Sequence, residues 1–586
     1  MARPGFRGEE TVVYATHQLN LAACMISDKK PVQDFIQLLD QHAIREIILC
    51  PGSRNAPFSI SLANDERFHV HSIVDERSAA FVALGMAQQL KHPVVLICTS
   101  GTAALNFAPA LAEAYYQRVP LLVVTADRPF EWIDQGEGQS IRQREVYRNY
   151  IKASYEIAEE ASDGDLVWYN VRIMDEAMRL ANEGVQGPVH INFPLREPLY
   201  NLIERTQQTT KTITRANAQL RLAESELNAL QHAVTSAGKI MVLAGQMPSD
   251  SEMLQALAVF GKRSNVAIFT EAHSNLADDS FVTTIDRFLA GLKDEDKAYL
   301  QPELLITVGH NLISRKIKAL LRKGHFEHWH VDISGEGLDT LKKLTKVIPL
   351  TPTEFFENMN GAVSSNSSRY RDTVLSWNHA STRCAHTFMQ GASWSDLKAF
   401  DCIHEALPSG SDVQMGNSSA VRYILLHNAR HDLRYFGNRG VAGIDGCTST
   451  AIGATHISRK LTTLISGDIA FFYDSNAFWN TLDNSHLRII VIHNGGGGIF
   501  RIIDGPDAGS QALETYFETA HTRSAAGLAA MYAIPFKGVS DAQSLEEGLK
   551  WLYTQTGCAI LEVNTPRLEN SPVLKAYFEF IRLGVA

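Results

Sequence analysis

Residues 467–498 read GDIAFFYDSNAFWNTLDNSHLRIIVIHNGGGG. A short apolar run, LTTLIS (461–466), delivers Gly467 and Asp468 at its end. A helical segment follows, and a second apolar run, RIIVIH (488–493), delivers Asn494 and four glycines. Two such runs joined by a helix predict neighbouring parallel strands, and α/β folds bind ligands at the C-terminal ends of those strands. A carboxylate and an amide oxygen, beside backbone that glycine leaves open, form a hard oxygen donor set. That set suits Mg²⁺ holding a phosphorylated molecule. The same residues also fit a plainer account, an acid capping a helix followed by a glycine-rich turn. The rest of the chain has to decide.

The rhythm of strand and helix extends outward on the N-terminal side. IREIILC (44–50) runs into PGSRNAP, and FHVHSIVDER (68–77) into the helical SAAFVALGMAQQL. PVVLICTSGTA (93–103), VPLLVVTADRP (119–129) and GPVHINFPLREPL (187–199) complete a first series. A polar stretch at 204–219 reads as a linker to KIMVLAG (239–245), NVAIFTEA (265–272), ELLITVG (303–309) and HWHVDIS (328–334). No G-x-G-x-x-G follows these runs, which leaves a dinucleotide site little support. NGAVSSNSSRYRD (360–372) is a second linker, and a third series starts near Trp394. It comprises 411–424, 433–446, the opening stretch and CAILEVN (558–564). The expectation is an α/β protein of three doubly wound units with mostly parallel sheets.

Composition narrows the function classes. With 45% hydrophobic and 20% charged residues in 586, the chain is an ordinary globular protein. A net charge of −10 without a basic run argues against nucleic acid. Seven scattered cysteines without a C-x-x-C pair point to free thiols in a reducing compartment, hence a cytoplasmic protein. No apolar run has the length of a membrane span. Residues 1–24 lack a signal peptide's apolar core, and read as an extension or as sequence ahead of a start at Met25.

Several strand ends carry chemistry. DER places Glu76 where a strand gives way to a helix, a common place for a cap. PGSRN and TADRP place Ser53, Arg54 and Arg128 at other ends, and QGEGQSIRQ (135–143) adds Gln139 and Arg142. Arginines gathered along one sheet would form a rim suited to carboxylates, which arginine grips in bidentate fashion. TSGTAALN (99–106) offers Gly101 and Thr102 in a small-residue turn able to bring backbone N–H groups to a phosphate or ring. GNSSAVR (416–422) sets Ser418 and Arg422 on one helix face. In GNRGVAGIDG (437–446), Arg439 lies between glycines, Ile444 suits core packing and Asp445 suits a cap.

In this order, CPGSRN, DER, TSGTA, LTADRP, QGEGQSIRQ, GNS-x₃-R, NRG-x-x-GIDG and GD with a later N-G-G resemble the thiamine-diphosphate enzymes over residues 31–586. Within them the chain resembles the menaquinone-pathway branch that joins 2-oxoglutarate to isochorismate. The resemblance implies an N-terminal extension (1–30), a pyrimidine-binding domain (31–203), a central α/β domain (204–370) and a diphosphate- and Mg²⁺-binding domain (371–586). It implies thiamine diphosphate and Mg²⁺, with Mn²⁺ as an alternative ion, in a homodimer or dimer of dimers whose active site lies at the subunit interface. Asp468, Asn494 and the Gly496 carbonyl would hold the metal. Gly416, Asn417, Ser418, Gly467, Ile469 and Ala470 would line the diphosphate. Ile469 stands where the family has a glycine, and His493 where it has the first of two asparagines.

Glu76 matches the acid that hydrogen-bonds the aminopyrimidine, and Ile444 the apolar residue that bends the cofactor. Ser53, Arg54, Arg128, Gln139, Ser418, Arg422 and Arg439 match substrate-binding positions. Arg315 and Lys316 match a basic pair in the opposite order, and Ile499 and Phe500 match apolar lining. The implied reaction is decarboxylation of 2-oxoglutarate and addition of the succinyl carbanion equivalent to isochorismate. Alternatives are another 2-oxo acid carboligase, such as an acetolactate synthase, which needs fewer arginines, or a non-catalytic relative.

Overall fold

The computed structural model describes residues 25–63, 65–159, 163–205, 209–216, 218, 220–361, 368–502 and 510–585. The expected N-terminal extension to residue 24, residues 206–208, 217 and 219 of the first expected linker and 362–367 of the second lie outside the described residues. The chain forms two compact units. One is the described part of Met1–Ala216 with Ile452–Ser458 and Asn476–Asp483; the other holds the remainder.

In the first unit, β1 (Met25–Ser27), β2 (Glu46–Leu49), β3 (His69–Ser72), β4 (Val94–Cys98), β5 (Leu121–Asp127), β6 (Ser154–Glu156), β7 (Val189–Pro194) and β8 (Leu202–Glu204) make two sheets. Six strands run parallel in the order β3-β2-β4-β5-β7-β6. β1 and β8 form a separate antiparallel pair. The central strands VVLIC and LLVVTAD are buried along their whole length, as a sheet covered by helices on both faces requires. Phe35, Phe58 and Phe193 meet edge-on beneath it, with ring centroids 5.0–5.7 Å apart.

The second unit carries two more parallel sheets. β9 (Ile240–Ala244), β10 (Val266–Thr270), β11 (Leu304–Val308), β12 (Glu327–Val331) and β13 (Lys346–Ile348) order as β10-β9-β11-β12-β13. β14 (Asp412–Met415), β15 (Arg434–Phe436), β16 (Thr462–Gly467), β17 (Leu487–His493), β18 (Phe536–Val539) and β19 (Ala559–Asn564) order as β15-β14-β16-β17-β19-β18. Three parallel α/β sheets agree with the sequence reading. The expected linkers are shorter than read: β8 ends at Glu204, and the helix Tyr370–Gly391 starts within 360–372. Among the described residues no helix is long and apolar enough to cross a membrane.

Candidate active site

β16 and β17 pair in parallel, with Gly467 opposite Ile492. That register carries Asp468 and Asn494 off adjacent strand ends. Asp468 is buried and tightly held: its Oδ2 accepts from Gly495 N at 2.9 Å, Gly496 N at 3.2 Å and His493 Nδ1 at 3.1 Å. Its Oδ1 accepts from Ile469 N at 2.7 Å. The imidazole that replaces an asparagine thus fastens the carboxylate, and the same hydrogen bond raises the His493 pKa. His521 closes the group, with Nε2 3.5 Å from Asp468 Oδ2.

Asn494 is buried, and its Nδ2 donates to Asp396 Oδ2 at 3.0 Å. Its Oδ1 is buried with no hydrogen-bond partner among the described residues, a costly state unless a ligand completes it. At Gly496 a Cβ would stand 2.8 Å from the Glu518 carbonyl, so the chain there must be glycine to pass so close. The Gly496 carbonyl accepts from Gly498 N at 3.0 Å and keeps a second lone pair. A fixed carboxylate, an orphaned amide oxygen and a backbone carbonyl fit a hard dication.

Asp396, which aims Asn494, carries no distinguishing signal in the sequence. It opens a helix behind Ser395, a pattern that reads only as a cap. Its carboxyl is raised to about 6 by burial, against hydrogen bonds from Thr565 and Asn494. His521 had no local signal either, lying far from the glycine run.

The turn after β14 is equally constrained. A Cβ on Gly416 would meet Ser466 Cα at 2.9 Å. Asn417 donates from Nδ2 to the Asn438 and Gly443 carbonyls at 2.6 and 2.5 Å, and its Oδ1 accepts from Arg439 Nη1 at 2.7 Å. Ser418 takes φ +71°, strained for a residue with a Cβ, and opens the helix Ser419–Ile424. Arg422 turns back to donate to the Ser418 carbonyl. Ile444, half-buried, is not the core residue that simple packing would make it.

A cavity of about 370 Å³ in this unit gathers Arg315, Lys316 and Arg422, adding Lys575 from the helix Asn570–Val585. Arg315 and Lys316 occupy the first turn of the helix Arg315–Arg322, where the dipole disfavours cations. Burial, with Arg439 and Arg315 nearby, lowers the pKa of Arg422. Cations crowded at such cost point to an anionic ligand. Ile499 is buried, and Phe500 packs edge-on to Phe517 at 5.4 Å.

In the first unit, Asp75 and not Glu76 is the cap: its Oδ1 accepts from Ser78 N at 3.1 Å, and its Oδ2 from Asn476 Nδ2 at 2.8 Å. Glu76 is left half-buried at the first turn of the helix Glu76–Leu90. Arg54 is buried, donates to the Leu195 carbonyl at 3.0 Å and pairs with Glu197 at 3.1 Å. Burial, then the nearby Arg128, lowers its pKa. Arg128 donates to the Gly138 carbonyl at 3.0 Å, tying the rim to the 135–143 loop. Gln143, unremarked at the end of that loop, is buried and accepts from Gly101 N at 2.9 Å. Ser53, Thr102 and Gln139 are exposed, and the exposed Arg142 pairs with Asp134 at 2.7 Å.

Comparison with known proteins agrees with this geometry. Residues 30–146 match the family described as thiamine pyrophosphate enzyme, N-terminal TPP binding domain, so the chain is of the thiamine-diphosphate class. It is 40% identical over 559 residues to the 2-succinyl-5-enolpyruvyl-6-hydroxy-3-cyclohexene-1-carboxylate synthase of Flavobacterium psychrophilum, covering 95% of this chain and 100% of that one. The synthases of that name from Porphyromonas gingivalis and Bacteroides fragilis are 39% and 35% identical, over 95% of this chain and 98% and 100% of theirs. The chain belongs to the 2-succinyl-5-enolpyruvyl-6-hydroxy-3-cyclohexene-1-carboxylate synthase family.

Proposed function

We propose that this protein decarboxylates 2-oxoglutarate and joins the succinyl unit to isochorismate, giving 2-succinyl-5-enolpyruvyl-6-hydroxy-3-cyclohexene-1-carboxylate in menaquinone biosynthesis. The observation that carries this reading is the cavity holding Arg315, Lys316, Arg422 and Lys575, whose four cations outnumber the acids Glu271 and Asp286 in the same lining and suit dicarboxylates. Thiamine diphosphate supplies, when bound, the carbanion and electron sink that the decarboxylation needs.

The chain's own residues bind, orient and hold protons. Asp468, Asn494 and the Gly496 carbonyl hold Mg²⁺, or Mn²⁺ in its place, and the 416–418 turn holds the diphosphate. Glu76 holds a proton at its carboxyl oxygen against the pyrimidine ring, and Ile444 sets the ring's angle. Gly101 and Thr102 border the cofactor, as do Gly467, Ile469, Ala470, Ile499 and Phe500. Ser53, Arg54, Arg128, Gln139, Arg315, Lys316, Ser418, Arg422 and Arg439 take the substrate carboxylates and hydroxyls. A desolvated arginine left without its carboxylate costs a few kcal/mol, about enough to reject pyruvate.

The test is to incubate the protein with thiamine diphosphate, Mg²⁺, 2-oxoglutarate and isochorismate, following isochorismate loss and CO₂ release. Turnover with this pair is expected; turnover with pyruvate alone overturns the reading in favour of an acetolactate-synthase type. We further propose a cytoplasmic homodimer or dimer of dimers, in keeping with six free cysteines among the described residues. A monomer in sedimentation at working concentration would sink the assembly.

A further inference from the structure

FHVHSIVDER contributes Glu76 to the reaction, but the two histidines ahead of it have no part there. Because side chains alternate along a strand, His69 and His71 share one face of β3. β2 pairs with β3 in parallel, with Glu46 opposite His69. Glu46 therefore meets both imidazoles: Oε1 lies 2.6 Å from His69 Nδ1 and Oε2 3.1 Å from His71 Nε2. A third ring arrives from the helix Cys447–Ser458, where His456 packs edge-on to His71 with centroids 4.8 Å apart. One donor atom each from Glu46, His71 and His456 fall within 4.8 Å of one another, and all three side chains are half-buried.

We propose that Glu46, His71 and His456 bind a transition-metal dication of the Zn²⁺ class, at a site distinct from the oxygen donors around Asp468. Two imidazole nitrogens and one carboxylate oxygen, with a fourth position left to water, are a zinc donor set. Mg²⁺ prefers oxygen throughout and does not compete for it. Although burial acts the other way, hydrogen bonds from His71 and His69 hold the Glu46 pKa below the ordinary carboxylate range, so the ligand is already ionised at neutral pH. The three ligands come from two strands and a helix, so their relative positions are set by the fold and not by a loop. Half-burial leaves the ion and its water a path in. On binding, His71 offers the lone pair of one ring nitrogen to the ion and carries its proton on the other, the form in which imidazole ligates a metal.

The full chain, stripped with a chelator and then saturated with Mg²⁺ and thiamine diphosphate, is titrated with Zn²⁺ by calorimetry and with Co²⁺ by visible absorption. One ion per chain is expected, with His71→Ala and His456→Ala each weakening it about 100-fold. Glu46→Gln, which preserves size and hydrogen bonding, should weaken it as well, and His521→Ala should not. Melting temperatures in Mg²⁺ alone establish that each variant is folded. Absence of a Zn²⁺ site in the wild type overturns the proposal. So does a site that survives all three ligand variants, or one that only His521→Ala removes.

Discussion

Six parallel strands ordered β3-β2-β4-β5-β7-β6 in the first unit recur as β15-β14-β16-β17-β19-β18 in the second, crossing for crossing. Matching ends carry different chemistry. β2 leads to Arg54 and β14 to Asn417 and Ser418; β4 leads to Gly101 and β16 to Asp468; β5 leads to Arg128 and β17 to Asn494. One sheet presents cations, a small-residue turn and the acid Glu76. The other presents oxygen donors, one of them an orphaned amide oxygen. A shared topology thus fixes where functional groups stand, and the residues at each end fix what they do.

The comparison breaks most sharply at the acid of the first sheet. Glu76→Gln keeps the size and helix position but removes an ionisable oxygen. Turnover should fall by about 10²–10⁴ while Mg²⁺-dependent cofactor binding, followed by calorimetry, stays near wild type. Wild-type-like turnover would take Glu76 out of the mechanism. On the other sheet the reverse split is expected. Asp468→Ala removes a buried carboxylate that two backbone N–H groups and His493 hold in place. A loss of about 3–5 kcal/mol weakens Mg²⁺-dependent thiamine diphosphate binding roughly 10²–10⁴-fold. Undiminished Mg²⁺ affinity in that variant would move the metal elsewhere.

Arg422→Ala divides substrate from cofactor within the second unit. Losing a charged hydrogen bond of about 1.5–3 kcal/mol should raise the KM for 2-oxoglutarate roughly 10–100-fold and leave cofactor affinity nearly unchanged. Equal losses in both would assign Arg422 to the diphosphate instead.

The sheets were legible because their central strands are unbroken apolar runs. β6, β13 and β18 escaped notice: they are short edge strands, and three or four partly polar residues carry no period to detect. Among the site residues, Asp468 and Asn494 stood out by following apolar runs. Asp396, Gln143 and His521 did not, because each acts on another residue from a place where an ordinary cap or loop residue also fits. In the sequence His493 is only a departure from a pattern; its hydrogen bond to Asp468 depends on strand register, which spacing does not give.

The smallest difference between the two sheets lies inside them. His190, second residue of β7, pairs with Val123 of β5; the corresponding residue of β19, Ile560, pairs with Ile489 of β17. His190 is fully buried between Thr125 Oγ1 at 2.8 Å and Ser154 Oγ at 3.0 Å, and burial lowers its pKa from 6.5 to about 3. It is therefore neutral in the folded sheet, whereas the unfolded chain takes up a proton below about pH 6.5. Its folded pKa being depressed, stability is fully present above 6.5 and is lost as pH falls from there toward 3, by at most about 1.4 kcal/mol per pH unit. His190→Gln keeps polar atoms near both hydroxyls and removes the titration. Urea unfolding of the first unit at pH 7.5, 6, 5 and 4 should then fall less steeply in the variant than in the wild type. Parallel slopes would mean that His190 contributes nothing to the acid sensitivity of the unit, and that the two sheets differ less in their interiors than at their strand ends.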